Sequence, residues 1–237
     1  MKKILFFFIF MLGVLTSNAA NSNDNDIEAM VEMLLNKMTL EEKVRLSYAQ
    51  SKFSSPGVPR LGVTEVYTSD GPHGVRMEIN WNNWDHAGWT NDSCTAFPAL
   101  TCLAATWQPQ LASLYGKMVG EEARYRNKTV LLGPGVNLYR TPLNGRNFEY
   151  MGEDPYLASR MCVPYIQGLQ SNGVACCVKH YALNEQENFR NHVDVRVSDR
   201  AIYELYLRPF HAAVTEGGAW SIMGSYNQYL NQHATHN

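Results

Sequence analysis

The chain has 237 residues, of which 45% are hydrophobic and 18% charged, and a formal net charge of −2. That composition excludes an intrinsically disordered chain, and the length suffices to bury a sizeable core. The near-neutral charge balance excludes recognition driven by bulk electrostatics, so no nucleic-acid partner and no anionic membrane surface is expected.

Lys2 and Lys3 precede an apolar run from Ile4 to Leu15, and Ser17-Asn18-Ala19 then supplies small residues two apart. The run is shorter than the ~20 residues that cross a bilayer. Residues 1–19 therefore read as a signal peptide, and the mature chain is expected to be exported, periplasmic or extracellular, and free of the membrane after cleavage. Residues 20–38 read as a polar tail and an opening helix, with Ile27, Met30, Val31, Leu34, Leu35 and Met38 at helical spacing. Thr39 with Glu42 three residues on is the signature of a capping box opening a second helix. A strand is predicted over Val63 to Tyr67, ending at Ser69-Asp70-Gly71-Pro72-His73-Gly74, and a long Trp-rich loop over Trp81 to Cys94. Next come a helix from Gln108 to Arg126 and a strand from Thr129 to Leu138. A helix opened by Asp154-Pro155 runs to about Gln170, and a strand from Gly173 to Val178 ends at Lys179-His180. Ser198-Asp199-Arg200 caps a long helix to about Thr215, and Ala219 to Gly224 is a further strand before a polar stretch from Asn227 to Asn237.

The strands are predicted to be apolar throughout rather than alternating, as parallel strands covered on both faces are. Strand, loop and helix repeat, which means an α/β fold: a doubly wound sheet or a β/α barrel. Asp70, Arg146, Lys179, His180 and Tyr226 all fall just past strand ends, and in a barrel those ends ring one mouth, which favours the barrel. A complete (β/α)8 barrel needs eight strands and ~250 residues. About four are legible here, so the expected fold is a partial TIM-type (β/α)8 barrel, incomplete at the C-terminus, over residues 39–237. Leu132-Gly133-Pro134-Gly135 is a poor phosphate loop, because Pro134 has no N–H and no helix follows directly. The five cysteines, Cys94, Cys102, Cys162, Cys176 and Cys177, are odd in number and match no zinc spacing. Cys176 and Cys177 lie in an apolar run and read as buried packing residues. No metal and no cofactor is expected.

Four clusters carry candidate chemistry. Asp70 is either a turn-forming Asp before Gly or a carboxylate that accepts from two vicinal hydroxyls. Arg146, in Pro142 to Glu149, is either a surface ion-pair partner of Glu149 or Glu153, or a guanidinium fork aimed into a pocket. Lys179 and His180, adjacent at a strand end, are costly to bury unpaired. A strand-end Lys in a barrel also fits a Schiff-base lyase, the main competing enzyme reading. Met223, in Ser221 to Asn227, is either a core residue, the default for a Met, or a strand-end side chain that brushes a sugar face.

In this order and spacing the strings SDGPHGVR, TAFP, LLGPGVNLYRTPLNGRNFEYMGEDP, VKHYALNEQE and IMGSYN resemble the N-terminal barrel of family 3 glycoside hydrolases, from about Met38 to the end of the chain. The resemblance implies a retaining, exo-acting enzyme that releases terminal β-D-glucose from β-glucosides or β-linked oligosaccharides. An Asp nucleophile and a separate carboxylic acid stand about 5–5.5 Å apart in that mechanism. It implies that Asp70, Arg146, Lys179, His180, Arg190, Met223 and Tyr226 hold the sugar in subsite −1, with Tyr226 close to the nucleophile. It also implies that both catalytic carboxylates lie beyond Asn237, so the chain itself is expected to be inactive. Glu149, Asp154, Glu185, Glu187 and Asp194 are read as structural, with Glu149 supporting Arg146. Asp at position 70 resembles the glucosidase branch rather than the xylosidase branch. Tyr181-Ala182-Leu183-Asn184 after Lys-His is unlike the N-acetylglucosaminidase branch. A non-catalytic sugar-binding remnant is the other alternative.

Overall fold

The computed structural model describes residues 26–88 and 93–237. The expected signal peptide and polar tail lie outside the described residues, as does the stretch 89–92 of the Trp-rich loop. The described chain forms two units: residues 26–50 with 55–65, and residues 51–54 with 66–237.

In the first unit, α1 (residues 26–37) is followed at once by α2 (Leu40–Leu46). The predicted capping box is present: Glu42 N donates to Thr39 Oγ1 at 3.2 Å, and Thr39 N donates to Glu42 Oε2 at 2.8 Å. Two donors left over at the start of α2 are thereby satisfied reciprocally. Arg60 closes on this cap from further along the chain. Its Nε donates to Glu42 Oε1 at 2.6 Å and its Nη2 to the Lys37 carbonyl at 2.8 Å.

The second unit is built on a sheet in the order β1-β2-β3-β4-β6: β1 (Ser54–Ser55, of which Ser54 belongs to this unit), β2 (Val66–Asp70), β3 (Val130–Leu132), β4 (Ala175–Tyr181) and β6 (Ser221–Gly224). The last four pair parallel, with Asp70 opposite Leu132, Leu131 opposite Cys176 and Cys177 opposite Ser221. Sequential parallel strands stand side by side with no reversal of order. That is the winding of a barrel and not of a doubly wound sheet, so the second unit is a partial (β/α) barrel. Each crossover is helical: α3 (Leu100–Ala105) with α4 (Pro109–Tyr125), then α5 (Pro155–Gln170), then α6 (Asp199–Ala201) running into α7 (Arg208–Thr215).

Leu131, Cys176, Val178, Met161, Cys162, Ile166 and Leu169 form the fully buried centre between strands and helices. Helices α4 and α5 approach closely because both carry glycine at the seam. A Cβ on Gly116 would stand 2.1 Å from the Tyr165 carbonyl oxygen, and one on Gly168 would stand 2.2 Å from that of Ser113. Asp154 caps α5 by accepting from Tyr156 N at 2.7 Å, with Pro155 at the first helical position, where its missing N–H costs nothing.

Several predicted elements differ in extent. The first barrel strand lies at Val66–Asp70, overlapping the predicted Val63 to Tyr67 but running on past it, and it is not apolar throughout: Thr68, Ser69 and Asp70 belong to it. The helix expected from Ser198 to Thr215 is broken by a π-type turn over Ile202–Tyr206, and α7 restarts with Pro209 near its beginning. Proline has no N–H for the i−4 carbonyl, and its ring crowds that carbonyl. The polar stretch after Asn227 is a hairpin: β7 (Gln228–Tyr229) and β8 (Gln232–His233) pair antiparallel, and β5 (Asp194–Val195) joins them. Leu230 and Asn231 both have positive φ, the conformation of a two-residue turn that matches strand twist. Cys176 and Cys177 are buried as expected, and neither is in a disulfide.

Candidate functional site

Strand alternation should send neighbouring residues to opposite faces, yet Lys179 and His180 are both buried at the end of β4 and both meet the loop after β3. The pairing of β4 with β6 explains this. Lys179 is opposite Met223 and Tyr181 is opposite Gly224, so His180 has no partner and the strand bulges there. A bulge re-aims one side chain, and here it presents two consecutive polar residues at one strand end.

Lys179 is 1% exposed, and its Nζ donates to Asp70 Oδ1 at 2.7 Å and stands 3.3 Å from Glu149 Oε2. Asp70, the last residue of β2, also accepts from Gly71 N at 2.9 Å. Burial is the largest influence on the Asp70 carboxyl and works to raise its pKa. The charge and hydrogen bond of Lys179, the Gly71 N–H and the charge of Arg146 together outweigh it and hold the carboxyl below its ordinary value. Glu149 turns its other oxygen to Arg146 Nε, so one carboxylate bridges the lysine and the arginine. The expected support of Arg146 by Glu149 is present, and it extends to Lys179.

Arg146 Nη2 reaches His180 Nε2 at 3.1 Å, and the Tyr150 hydroxyl lies 3.1 Å from His180 Nδ1. Burial, then the charges of Arg146, Lys179 and Arg190, push the His180 pKa down to about 2, so the ring is neutral. Glu187 links the cluster outward: its Oε1 lies 3.7 Å from Arg146 Nη1, and its Oε2 accepts from Arg190 Nη1 at 2.7 Å. The Arg190 guanidinium lies 4.9 Å from the centre of the half-exposed Tyr226 ring.

The seven residues singled out in the sequence thus fall into three relations. Asp70, Arg146, Lys179 and His180 form one bonded cluster through Glu149. Arg190 and Tyr226 join it through Glu187. Met223 stands in register with Lys179 across the strands. Sequence reasoning passed over Asn137 and Tyr150, which touch His180, because nothing in their local pattern separates them from packing residues. Asn137 Oδ1 accepts from His180 N at 2.7 Å, and Asn137 Nδ2 donates to His180 O at 3.0 Å. A cavity of about 360 Å³, with Arg76, Glu78, Trp81 and Lys128 in its wall, shares only Asp70 with the cluster. Among the described residues no three His, Cys, Asp or Glu side chains come together to hold a metal ion.

Polar groups at the C-terminal ends of successive parallel strands, already hydrogen-bonded to one another, are what a β/α barrel uses to grip a polar ligand. Residues 71–237 match the family described as the N-terminal domain of glycosyl hydrolase family 3. The chain belongs to that family. It is 73% identical over 210 residues to β-glucosidase BoGH3A of Bacteroides ovatus, covering 89% of this chain and 28% of the relative. It is 42% identical to β-glucosidase B of Emericella nidulans, covering 88% of this chain and 24% of that one. The structure of β-glucosidase 3B from Thermotoga neapolitana in complex with glucose superposes with a TM-score of 0.79 at 37% identity, over 88% of this chain and 31% of that one. The chain thus spans about a quarter of the length of the curated family 3 relatives it matches.

Proposed function

We propose that this chain supplies the sugar-gripping half of a retaining, exo-acting β-glucosidase, with Asp70, Arg146, Lys179, His180, Arg190, Met223 and Tyr226 around a terminal β-D-glucose. The observation that carries this reading is the Asp70–Lys179–Glu149–Arg146–His180 cluster at the strand ends. It presents acceptors and donors side by side, as vicinal hydroxyls require, and its members already hold one another in place. Hydrogen bonds of that kind strengthen as charge develops on the sugar ring, so they serve rate as well as affinity. The relatives' description as β-glucosidases and the glucose bound in the Thermotoga neapolitana enzyme support the choice of sugar.

The carboxylates at the cluster are engaged. Asp70 and Glu149 are held by Lys179 and Arg146, and Glu187 by Arg190. None of these three stands free as a nucleophile with a second acid opposite, and Glu185 beside Asn137 is only 4% exposed, so this reading takes both catalytic carboxylates from outside these 237 residues. Lys179 Nζ donates to one carboxylate and faces another, whereas a Schiff-base lysine is activated by an apolar pocket or a neighbouring cation, which speaks against a Schiff-base lyase.

The test is a calorimetric titration of the chain with glucose and with galactose, alongside an assay of p-nitrophenyl β-D-glucoside hydrolysis. Saturable binding of glucose in preference to galactose, with no turnover, is the expected result. Turnover by this chain, abolished by Glu185→Gln or Asp194→Asn, overturns the assignment of the carboxylates.

A further inference from the structure

The bulge that aims His180 leaves the peptide groups of that residue outside both neighbouring ladders. On the β6 side the register passes from Lys179 directly to Tyr181. On the β3 side the chain after Leu132 still follows β4: Lys179 N donates to Pro134 O at 3.1 Å, and Val136 N donates to Lys179 O at 2.9 Å. The next rung is made by a side chain. The Asn137 amide faces His180 with both ends, accepting its N–H at 2.7 Å and donating to its carbonyl at 3.0 Å. These two bonds settle the orientation of the amide, since an N–H meets only an acceptor and a carbonyl only a donor. The remaining Nδ2 hydrogen points to Glu185 Oε1 at 3.4 Å, and Oδ1 also lies 3.4 Å from His180 Nδ1. Asn137 is 2% exposed and His180 also 2% exposed, so no bulk water substitutes for these bonds.

The ring is constrained in the same way. A guanidinium only donates, so the Arg146 Nη2 contact at 3.1 Å makes His180 Nε2 an acceptor. The proton of the neutral imidazole therefore sits on Nδ1, where the Tyr150 hydroxyl at 3.1 Å and Asn137 Oδ1 at 3.4 Å both take it.

We propose that Asn137 is a positioning residue of the sugar subsite: it replaces the missing ladder rung at the bulge and holds His180 as the Nδ1–H tautomer, so that Nε2 accepts from Arg146 and aims the remaining N–H groups of that guanidinium at a sugar hydroxyl. This rests on the reading of the cluster as a glucose subsite, and the experiment separates the two.

The wild-type chain, labelled with ¹⁵N at histidine, reports the His180 tautomer through long-range ¹H–¹⁵N couplings, before and after glucose is added. The expected spectrum has Nδ1 protonated and Nε2 unprotonated, with the Nε2 resonance moving on addition of glucose. The same measurements are made on Asn137→Asp, which keeps the acceptor for His180 N–H and places a carboxylate oxygen against His180 O. Losing one buried hydrogen bond and orphaning its partner lowers glucose affinity about tenfold in the folded variant and shifts both ring nitrogens. A merely structural Asn137 lowers only the melting temperature and leaves affinity and ring signals native. That outcome overturns the proposal, as does an Nε2–H tautomer in the wild type. Where Asn137→Asp fails to fold, Asn137→Ser, which keeps a hydroxyl for His180 N–H, is measured in its place with the same two readings. A wild-type chain that shows the Nδ1–H tautomer but binds no glucose overturns the glucose reading and leaves Asn137 as the residue that sets the ring.

Discussion

Glu185 is 4% exposed, one of its oxygens has no hydrogen-bond partner, and the other is reached only by Asn137 Nδ2 at 3.4 Å. Burial pushes its carboxyl up to about 7, against the weaker opposite pulls of Asn137 and the Arg140 charge. In the unfolded chain the same group titrates near 4.5. Between pH 4.5 and 7 the folded state therefore keeps a proton that the unfolded state has released. The native protein binds more protons across that window, and its stability falls as pH rises through it. At 1.36 kcal/mol per pH unit the interval amounts to about 3 kcal/mol by pH 8. Glu185→Gln keeps the shape and an acceptor for Asn137 but cannot ionise. Urea unfolding followed by tryptophan fluorescence is expected to show the variant more stable by about 3 kcal/mol at pH 8 and equal to the wild type at pH 4.5. His180 contributes the opposite slope. Its folded pKa is depressed, so below about pH 6.5 the unfolded state takes a proton the folded state refuses, and stability falls toward acid. That contribution is common to both proteins and cancels in the difference. Equal stability at pH 8, or a less stable Gln variant, would refute the argument, because it would mean the interior solvates the Glu185 carboxylate.

Lys179→Met removes the ammonium between Asp70 and Glu149. Breaking a buried pair costs about 3–5 kcal/mol, and the Asp70 side chain is one-third exposed, so a loss of about 3 kcal/mol in urea unfolding at pH 7 is expected. Adding Asp70→Asn should recover part of that loss, and strict additivity of the two changes would show that the pair is not coupled. The thiols offer a check on packing: Cys102 is exposed, whereas Cys162, Cys176 and Cys177 are buried and burial pushes their thiols up. Ellman's reagent should label Cys102 promptly and those three only in denaturant, and prompt labelling of Cys176 would contradict the described core.

Much of the barrel was legible because its signals are local. The Thr39–Glu42 box, Asp154-Pro155 and the apolar run into Lys179 each report an element through its own few residues. The breaks were less legible. The π-type turn at Ile202–Tyr206 follows from Pro209, whose effect reaches back a full turn. The hairpin at Leu230-Asn231 lacks the Asn-Gly or Asp-Gly that announces such turns. Among the site residues, Asp70, Arg146, Lys179 and His180 were visible as charged or titratable groups at strand ends. Asn137, Tyr150 and the bridging reach of Glu149 to Lys179 were not, since a hydrogen bond between residues 43 positions apart leaves no mark on either local pattern.

The sequence by itself determined the β/α alternation, the helix starts and the short polar strings at the strand ends, because propensity, capping and hydrophobic period act within a few residues. Only the tertiary structure decided that Lys179 and His180 face one way, that Glu149 joins Lys179 to Arg146, and which His180 nitrogen carries the proton. Those outcomes depend on the register between β4 and β6 and on burial, which distant segments impose together, and no single segment encodes them.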